Sequence, residues 1–169
     1  MNIPCTGNKS DLIQAGANVG KNVDIVGDIH YSSEPYLITI GDNTTISFEC
    51  ALITHDAATR VIRNLPDGNK ETVIYGTITI GNNCFIGCRT TILPNVKIGN
   101  NTIIGACSLV CSDIPDNVVA AGNPCKVICT LDEYRKKHKD DFLYMVSLLP
   151  DKKKEYLKNY FKLNKNEEN

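Results

Sequence analysis

The sequence predicts an all-β solenoid, a parallel β-helix followed by a C-terminal α-helical extension, and three observations carry that expectation. Aliphatic residues stand six apart at Ile74, Ile80, Ile86, Ile92, Ile98, Ile104 and Val110; flat strands and α-helices repeat at about 2 and 3.6 residues instead. Gly follows four of them, at Gly81, Gly87, Gly99 and Gly105. Four places after each aliphatic come small or β-branched residues, Thr44, Cys50, Ile78, Cys84, Thr90, Val96, Thr102 and Ser108, which suit a narrow coil that bends inward. A strand whose inward residue returns every six positions must turn a corner once per repeat.

Taken from the N-terminus, the six-residue register is traced at Ile13, Val19 and Ile25, and again at Ile40, Ile46 and Leu52. Two interruptions break it. Ile25 to Ile40 is fifteen positions and Leu52 to Ile74 is twenty-two, so the excess in each must loop out of the coil, and residues 57–73 form the longer insertion. Insertions in solenoids tend to gather on a binding face. The pairs Asp42-Asn43, Asn82-Asn83 and Asn100-Asn101 recur just past the inward residue, where backbone leaving β geometry adopts left-handed conformations. The coil is therefore assigned to residues 1–129. The helical extension covers 130–169: Thr130 and Glu133 form a capping box opening a helix through Tyr134, Phe142 and Met145. A second helix starts at Pro150 and carries Tyr156, Leu157, Tyr160 and Phe161 at helical spacing. Both are expected to cover the open end of the solenoid, whose strand edge needs a partner, and the polar tail from Asn164 is expected to fray.

Composition narrows the function classes. No apolar run of the 169 residues approaches the length of a membrane span, and Met1-Asn2-Ile3-Pro4-Cys5 lacks the charged start and apolar core of a signal peptide. A cytoplasmic protein without a membrane partner is expected. A net charge of −1 with no basic stripe argues against nucleic acid. Of the eight cysteines, three pairs share a spacing of four, Cys84 with Cys88, Cys107 with Cys111 and Cys125 with Cys129, and CxxxC on a β-helix does not converge on one ion. They are read as reduced packing residues, with no metal site.

Three histidines allow a complete census. His138 lies in a run of cations, and His30 sits at the first break in the repeat. His55, in Leu52-Ile53-Thr54-His55-Asp56, stands immediately before the insertion and three places after an inward residue, so alternation points it outward beside the loop. An imidazole there is placed to act as a general base.

The register, the Thr54-His55-Asp56 placement before a loop, and the closing run Ala120-Ala121-Gly122-Asn123-Pro124-Cys125-Lys126-Val127-Ile128 together resemble the hexapeptide-repeat acyltransferases, left-handed parallel β-helix enzymes that include maltose, galactoside and serine acetyltransferases. The left hand of the coil comes from this resemblance alone, since connection rules favour the opposite hand. The stretch Ser33-Glu34-Pro35-Tyr36-Leu37-Ile38 is similar to the branch that contains sugar and polysaccharide acetyltransferases of bacterial surface-glycan pathways.

The resemblance implies a homotrimer with active sites between subunits and acetyl-CoA as acyl donor. His55 would take a proton from a hydroxyl, or less readily an amine, of a sugar or glycan acceptor. The backbone N–H of Cys88 would stabilise the oxyanion. Gly87, Gly105 and Ala106 would let the pantetheine arm approach the coil wall, and Lys126 would meet a CoA phosphate. Where the galactoside branch has a Lys after the Thr of the next coil, this chain reads Cys111-Ser112, so one expected cation is missing. Glu34, rather than the adjacent Asp56, is the candidate orienting acceptor for His55, or else a ligand of sugar hydroxyls. Asp56 and Arg63, with Arg60, stand where an acceptor would be met. The alternatives are a non-catalytic β-helix scaffold and an acetyltransferase of small xenobiotics. A β-helical carbonic anhydrase is disfavoured because no His-x₄-His pair exists.

Overall fold

A computed structural model of the chain describes residues 6–163; the segment Met1–Cys5 and the tail from Asn164 lie outside the described residues. Three walls of short parallel strands wind around one apolar core. One wall stacks Ile29–Tyr31, Ala51–Leu52, Thr91–Ile92 and Leu109–Val110. The second stacks Asn18–Val19, Ile38–Ile40, Ile78–Ile80 and Val96–Ile98. The third stacks Asp24–Ile25, Thr45–Ile46, Phe85–Ile86, Ile103–Ile104 and Val118–Ala121. The chain visits the walls in turn, so Ile78 pairs with Val96, eighteen residues and one full coil later.

The two inward columns explain why the repeat holds this shape. Ile40, Ile46, Leu52, Ile80, Ile86, Ile92, Ile98, Ile104 and Val110 are all buried in one continuous core. The small residues four places later are buried too, and each polar one among them is satisfied by a corner carbonyl. Thr44 Oγ1 donates to Gly81 O at 2.9 Å, Cys50 Sγ to Gly87 O at 3.2 Å, Cys84 Sγ to Gly99 O at 3.0 Å and Thr102 Oγ1 to Pro115 O at 3.0 Å. The column also takes the β-branched Ile78 and Val96, but at these four corners an apolar side chain would leave the carbonyl without this donor. Outside, Asn43, Asn83 and Asn101 adopt left-handed φ of 56°, 54° and 52°, as their sequence pairs predict. Asn83 Nδ2 also donates to Asn101 Oδ1 at 2.8 Å, which links successive coils at the corner.

Four expectations are corrected. Ile13 is not on a coil: Asn8 and Asp11 form a capping box that opens helix α1 (Lys9–Gln14), in which Leu12 is the buried residue and Ile13 is exposed. The first interruption is shorter than fifteen positions, because Tyr31 takes the inward place six after Ile25. The excess is confined to residues 32–37, which include a 3₁₀ turn at Pro35–Leu37. Ile74 keeps the six-residue count but has left the core: it is 47% exposed and pairs antiparallel with Asp56. Strands His55–Asp56 and Ile74–Tyr75 are the stem of the insertion, which carries the short helix α2 (Thr59–Arg63).

The fourth correction concerns the C-terminus. The Thr130–Glu133 capping box is formed, with Thr130 N donating to Glu133 Oε2 at 2.8 Å and Glu133 N to Thr130 Oγ1 at 3.2 Å. Helix α3 (Leu131–Lys137) nevertheless ends before Phe142 and Met145. Beyond it the chain reads His138-Lys139-Asp140-Asp141, with no apolar period to bury, and His138 Nδ1 bonds Asp141 Oδ2 at 2.9 Å. Helix α4 (Pro150–Tyr160) starts at the expected proline; Tyr156 and Tyr160 stack within it and stay about half exposed. The strand edge left by Val118–Ala121 is met by the antiparallel strand Lys126–Thr130. The chain divides into two compact units between Lys136 and Lys137.

Candidate active site

Both interruptions of the repeat end beside the same corner, and that convergence builds the site. The parallel pairing of Tyr31 with Leu52 brings residues 32–34 next to residues 53–55. Thr54 N donates to Ser32 Oγ at 3.0 Å, which ties the two segments together. Glu34 Oε2 then lies 2.8 Å from His55 Nδ1 and accepts from Thr54 Oγ1 at 3.0 Å, while Ser33 Oγ donates to Glu34 Oε1 at 2.6 Å.

The electrostatics of this group follow from those contacts. Burial pushes the Glu34 carboxyl up, but hydrogen bonds from Ser33, His55 and Thr54, with the charge of His55, together hold it below the usual carboxylate value. An ionised carboxylate only accepts hydrogen bonds, so the proton between the two residues belongs to Nδ1. When the ring carries a single proton, its lone pair is therefore on Nε2. The ring is 34% exposed and Glu34 12%, so the imidazole reaches solvent while the carboxylate beside it is held back.

His55 stands between two openings. One is a cleft of about 200 Å³ lined by Ser33, Glu34, Asp56, Arg60, Arg63 and Tyr75 among others. Tyr75 packs edge-on to His55, with centroids 6.1 Å apart at 70°. The other opening, of about 320 Å³, has Ile53, Ile74, Leu93, Pro94 and Cys111 on its walls. Asp56 caps the loop backbone, its Oδ1 accepting from Ala58 N at 2.8 Å, and Arg63 Nε donates to Thr72 O at 2.6 Å.

The remaining expected residues lie apart from His55 within one chain. Gly87, Cys88, Gly105 and Ala106 occupy the corner that precedes Thr91–Ile92 and Leu109–Val110, whereas His55 follows the far end of the neighbouring strand Ala51–Leu52. Gly87 and Gly105 have a packing reason of their own. A Cβ on Gly87 would sit 2.5 Å from Ala106 N, and one on Gly105 2.7 Å from Ala121 Cβ, so the next coil, rather than a ligand, forbids side chains there. Lys126 is exposed on the closing strand. Cys50, Cys84 and Cys125 are buried, and among the described residues no group of three or more His, Cys, Asp or Glu is placed to hold a metal ion.

Comparison with known proteins agrees with this architecture. The family described as Bacterial transferase hexapeptide (six repeats) matches residues 77–112. Protein CapG of Staphylococcus aureus is 43% identical over 135 residues, covering 80% of this chain and 77% of that protein. A galactoside acetyltransferase solved in complex with coenzyme A superposes with a TM-score of 0.55 at 31% identity, over 82% of this chain and 74% of that one. The chain belongs to the bacterial hexapeptide transferase family. The galactoside O-acetyltransferase of Escherichia coli K12 is 43% identical over 118 residues, and this hexapeptide transferase spans 52% of its length.

Sequence reasoning missed three residues of the site. Ser33 and Thr54 complete the shell around Glu34, and Tyr75 reaches His55 from the far arm of the insertion. Thr54 carries a signal, standing beside the candidate base, but Tyr75 is brought in only by antiparallel pairing of the stem, His55 with Tyr75.

Proposed function

We propose that this hexapeptide transferase moves an acetyl group from acetyl-CoA to a hydroxyl of a sugar or glycan precursor, with His55 as the general base. The observation that carries this reading is the 2.8 Å contact between His55 Nδ1 and Glu34 Oε2, which leaves Nε2 as the acceptor at the mouth of a polar cleft. Nε2 takes the hydroxyl proton, the oxygen attacks the thioester carbonyl, and the tetrahedral intermediate collapses with cleavage of the C–S bond. The imidazolium returns its proton to the departing thiolate. The Cys88 N–H is the proposed oxyanion donor, Gly87, Gly105 and Ala106 flank the pantetheine arm, and Lys126 meets a CoA phosphate.

Because the Cys88 corner and His55 lie at opposite ends of one wall, the two halves of a site belong in this reading to neighbouring copies in a homotrimer. Relatives named as galactoside acetyltransferases, one solved with coenzyme A, support both the donor and the sugar class. The left hand of the coil and a cytoplasmic location are part of the same proposal.

The test is acetyl-CoA-dependent thiol release with a panel of sugars and nucleotide sugars. His55→Ala is expected to lower kcat by roughly 10²–10⁴-fold while coenzyme A binding, measured by calorimetry, is retained. Equal turnover by parent and variant would remove His55 from the chemistry. A protein that binds no coenzyme A would be a scaffold instead.

A further inference from the structure

The cleft beside His55 has a charge pattern that an uncharged sugar does not use. Arg60 and Arg63 both line it, one turn apart on α2. Of its two carboxylates, Glu34 is held by Ser33, Thr54 and His55, and Asp56 accepts from the Ala58 amide through Oδ1. Among the described residues neither arginine forms an ion pair with a carboxylate. Arg63 is half-buried and its Nε is anchored on Thr72 O at 2.6 Å, which fixes the guanidinium in the loop and leaves its two terminal nitrogens as a fork. Arg60 is exposed. Two guanidiniums on one wall, paired with neither neighbouring carboxylate, complement an anion that accepts paired hydrogen bonds.

We infer that the acceptor is an anionic sugar, carrying a carboxylate or phosphate that Arg60 and Arg63 bind while a hydroxyl of the same molecule lies at His55 Nε2. This rests on the acetyltransferase reading and adds the substrate class. The Tyr75 ring, half-exposed on the same cleft, supplies an apolar face for the body of the sugar ring between the two ends. Arg60 and Arg63 are then specificity determinants: they act on binding of the acceptor, not on the proton transfer.

The test uses matched acceptors with the intact protein: methyl glucoside against methyl glucuronide, and galactose against galactose 1-phosphate. The expected result is a lower KM for the anionic member of at least one pair, and which pair responds separates carboxylate from phosphate. Arg60→Gln, which removes no contact that holds the fold, is expected to raise that KM about tenfold, the scale of one charge-assisted hydrogen bond, with kcat and the KM for acetyl-CoA unchanged. Arg63→Lys, which keeps the charge and loses the fork, should raise it as well. Equal KM values within both pairs, with thiol release still dependent on His55, overturn this inference and leave the acetyltransferase reading standing. A rise confined to the KM for acetyl-CoA also overturns it, since the arginines would then serve the donor's phosphates. Absence of His55-dependent release with every acceptor removes both readings together.

Discussion

Thr54 and His55, neighbours on the chain, share one acceptor: the Thr54 hydroxyl lies 3.0 Å and His55 Nδ1 2.8 Å from the same oxygen of Glu34. A buried hydroxyl and an exposed ring edge thus fix the carboxylate from two directions. The ring cannot rotate without breaking a charge-assisted bond, and its tautomer is set by an acceptor that cannot donate.

Glu34→Gln should therefore lower kcat by roughly 10²–10⁴-fold, up to the loss seen when an amide replaces the carboxylate that orients a general-base histidine, with little change in the KM for acetyl-CoA. The amide can offer its N–H to Nδ1 and so favour the wrong tautomer. Steady-state kinetics with both substrates varied separates this from a loss of binding; a rise in KM at constant kcat would make Glu34 a substrate ligand.

The same carboxylate gives a pH dependence of stability. Its folded pKa lies below the ordinary value, so the unfolded state binds the proton more readily and stability rises with pH through that interval. The contribution is fully present above the unfolded carboxylate value near 4.5 and is lost as pH falls through the folded one. Denaturant unfolding of the parent and Glu34→Gln should show a gap at pH 7 that narrows toward pH 3. A gap independent of pH would mean that the charge of Glu34 contributes nothing to the fold.

Corner hydroxyls should matter more than their size suggests. Thr102→Val keeps the shape but removes the donor to Pro115 O, and an unsatisfied buried acceptor costs about 1–3 kcal/mol. Ile92→Ala, in the fully buried column, is expected to cost about 2–5 kcal/mol through lost burial and the cavity left behind. Calorimetric or denaturant midpoints check both, and a stability for Thr102→Val equal to the parent's would show that the hydroxyl column only fills space.

Thiol chemistry offers a third readout of the coil. Burial pushes the Cys50 thiol up to about 11 and raises Cys84 as well, whereas Cys107 and Cys111 are exposed. Brief alkylation of the native protein, read by peptide mass spectrometry, should mark Cys107 and Cys111 and spare Cys50 and Cys84 until denaturant is added. Labelling of Cys50 in the native state would contradict the inward register.

The coil was legible because its cause is periodic: each inward aliphatic and each small corner residue recurs where the next strand needs it, from Ile40 to Val110. Periodicity misled where another local preference won. Ile13 fell to the Asn8 capping box, and Ile74 kept its count while the antiparallel stem carried it into solvent. His55 stands at a break in the repeat that is visible in one dimension, but its role, and Glu34 as its partner, came from the resemblance to the hexapeptide-repeat acyltransferases.

What the sequence by itself determined is the solenoid, its two interruptions and the residue types standing at them. Spacing along one strand specifies which side chains turn inward, since burial rewards a period directly. Only the tertiary structure decided that the two interruptions meet. The pairing of Tyr31 with Leu52 brings Glu34 to His55, and the hairpin stem sets Tyr75 and the Arg60–Arg63 wall around the same imidazole. Those contacts join residues far apart in the chain through loop conformations that no repeat encodes.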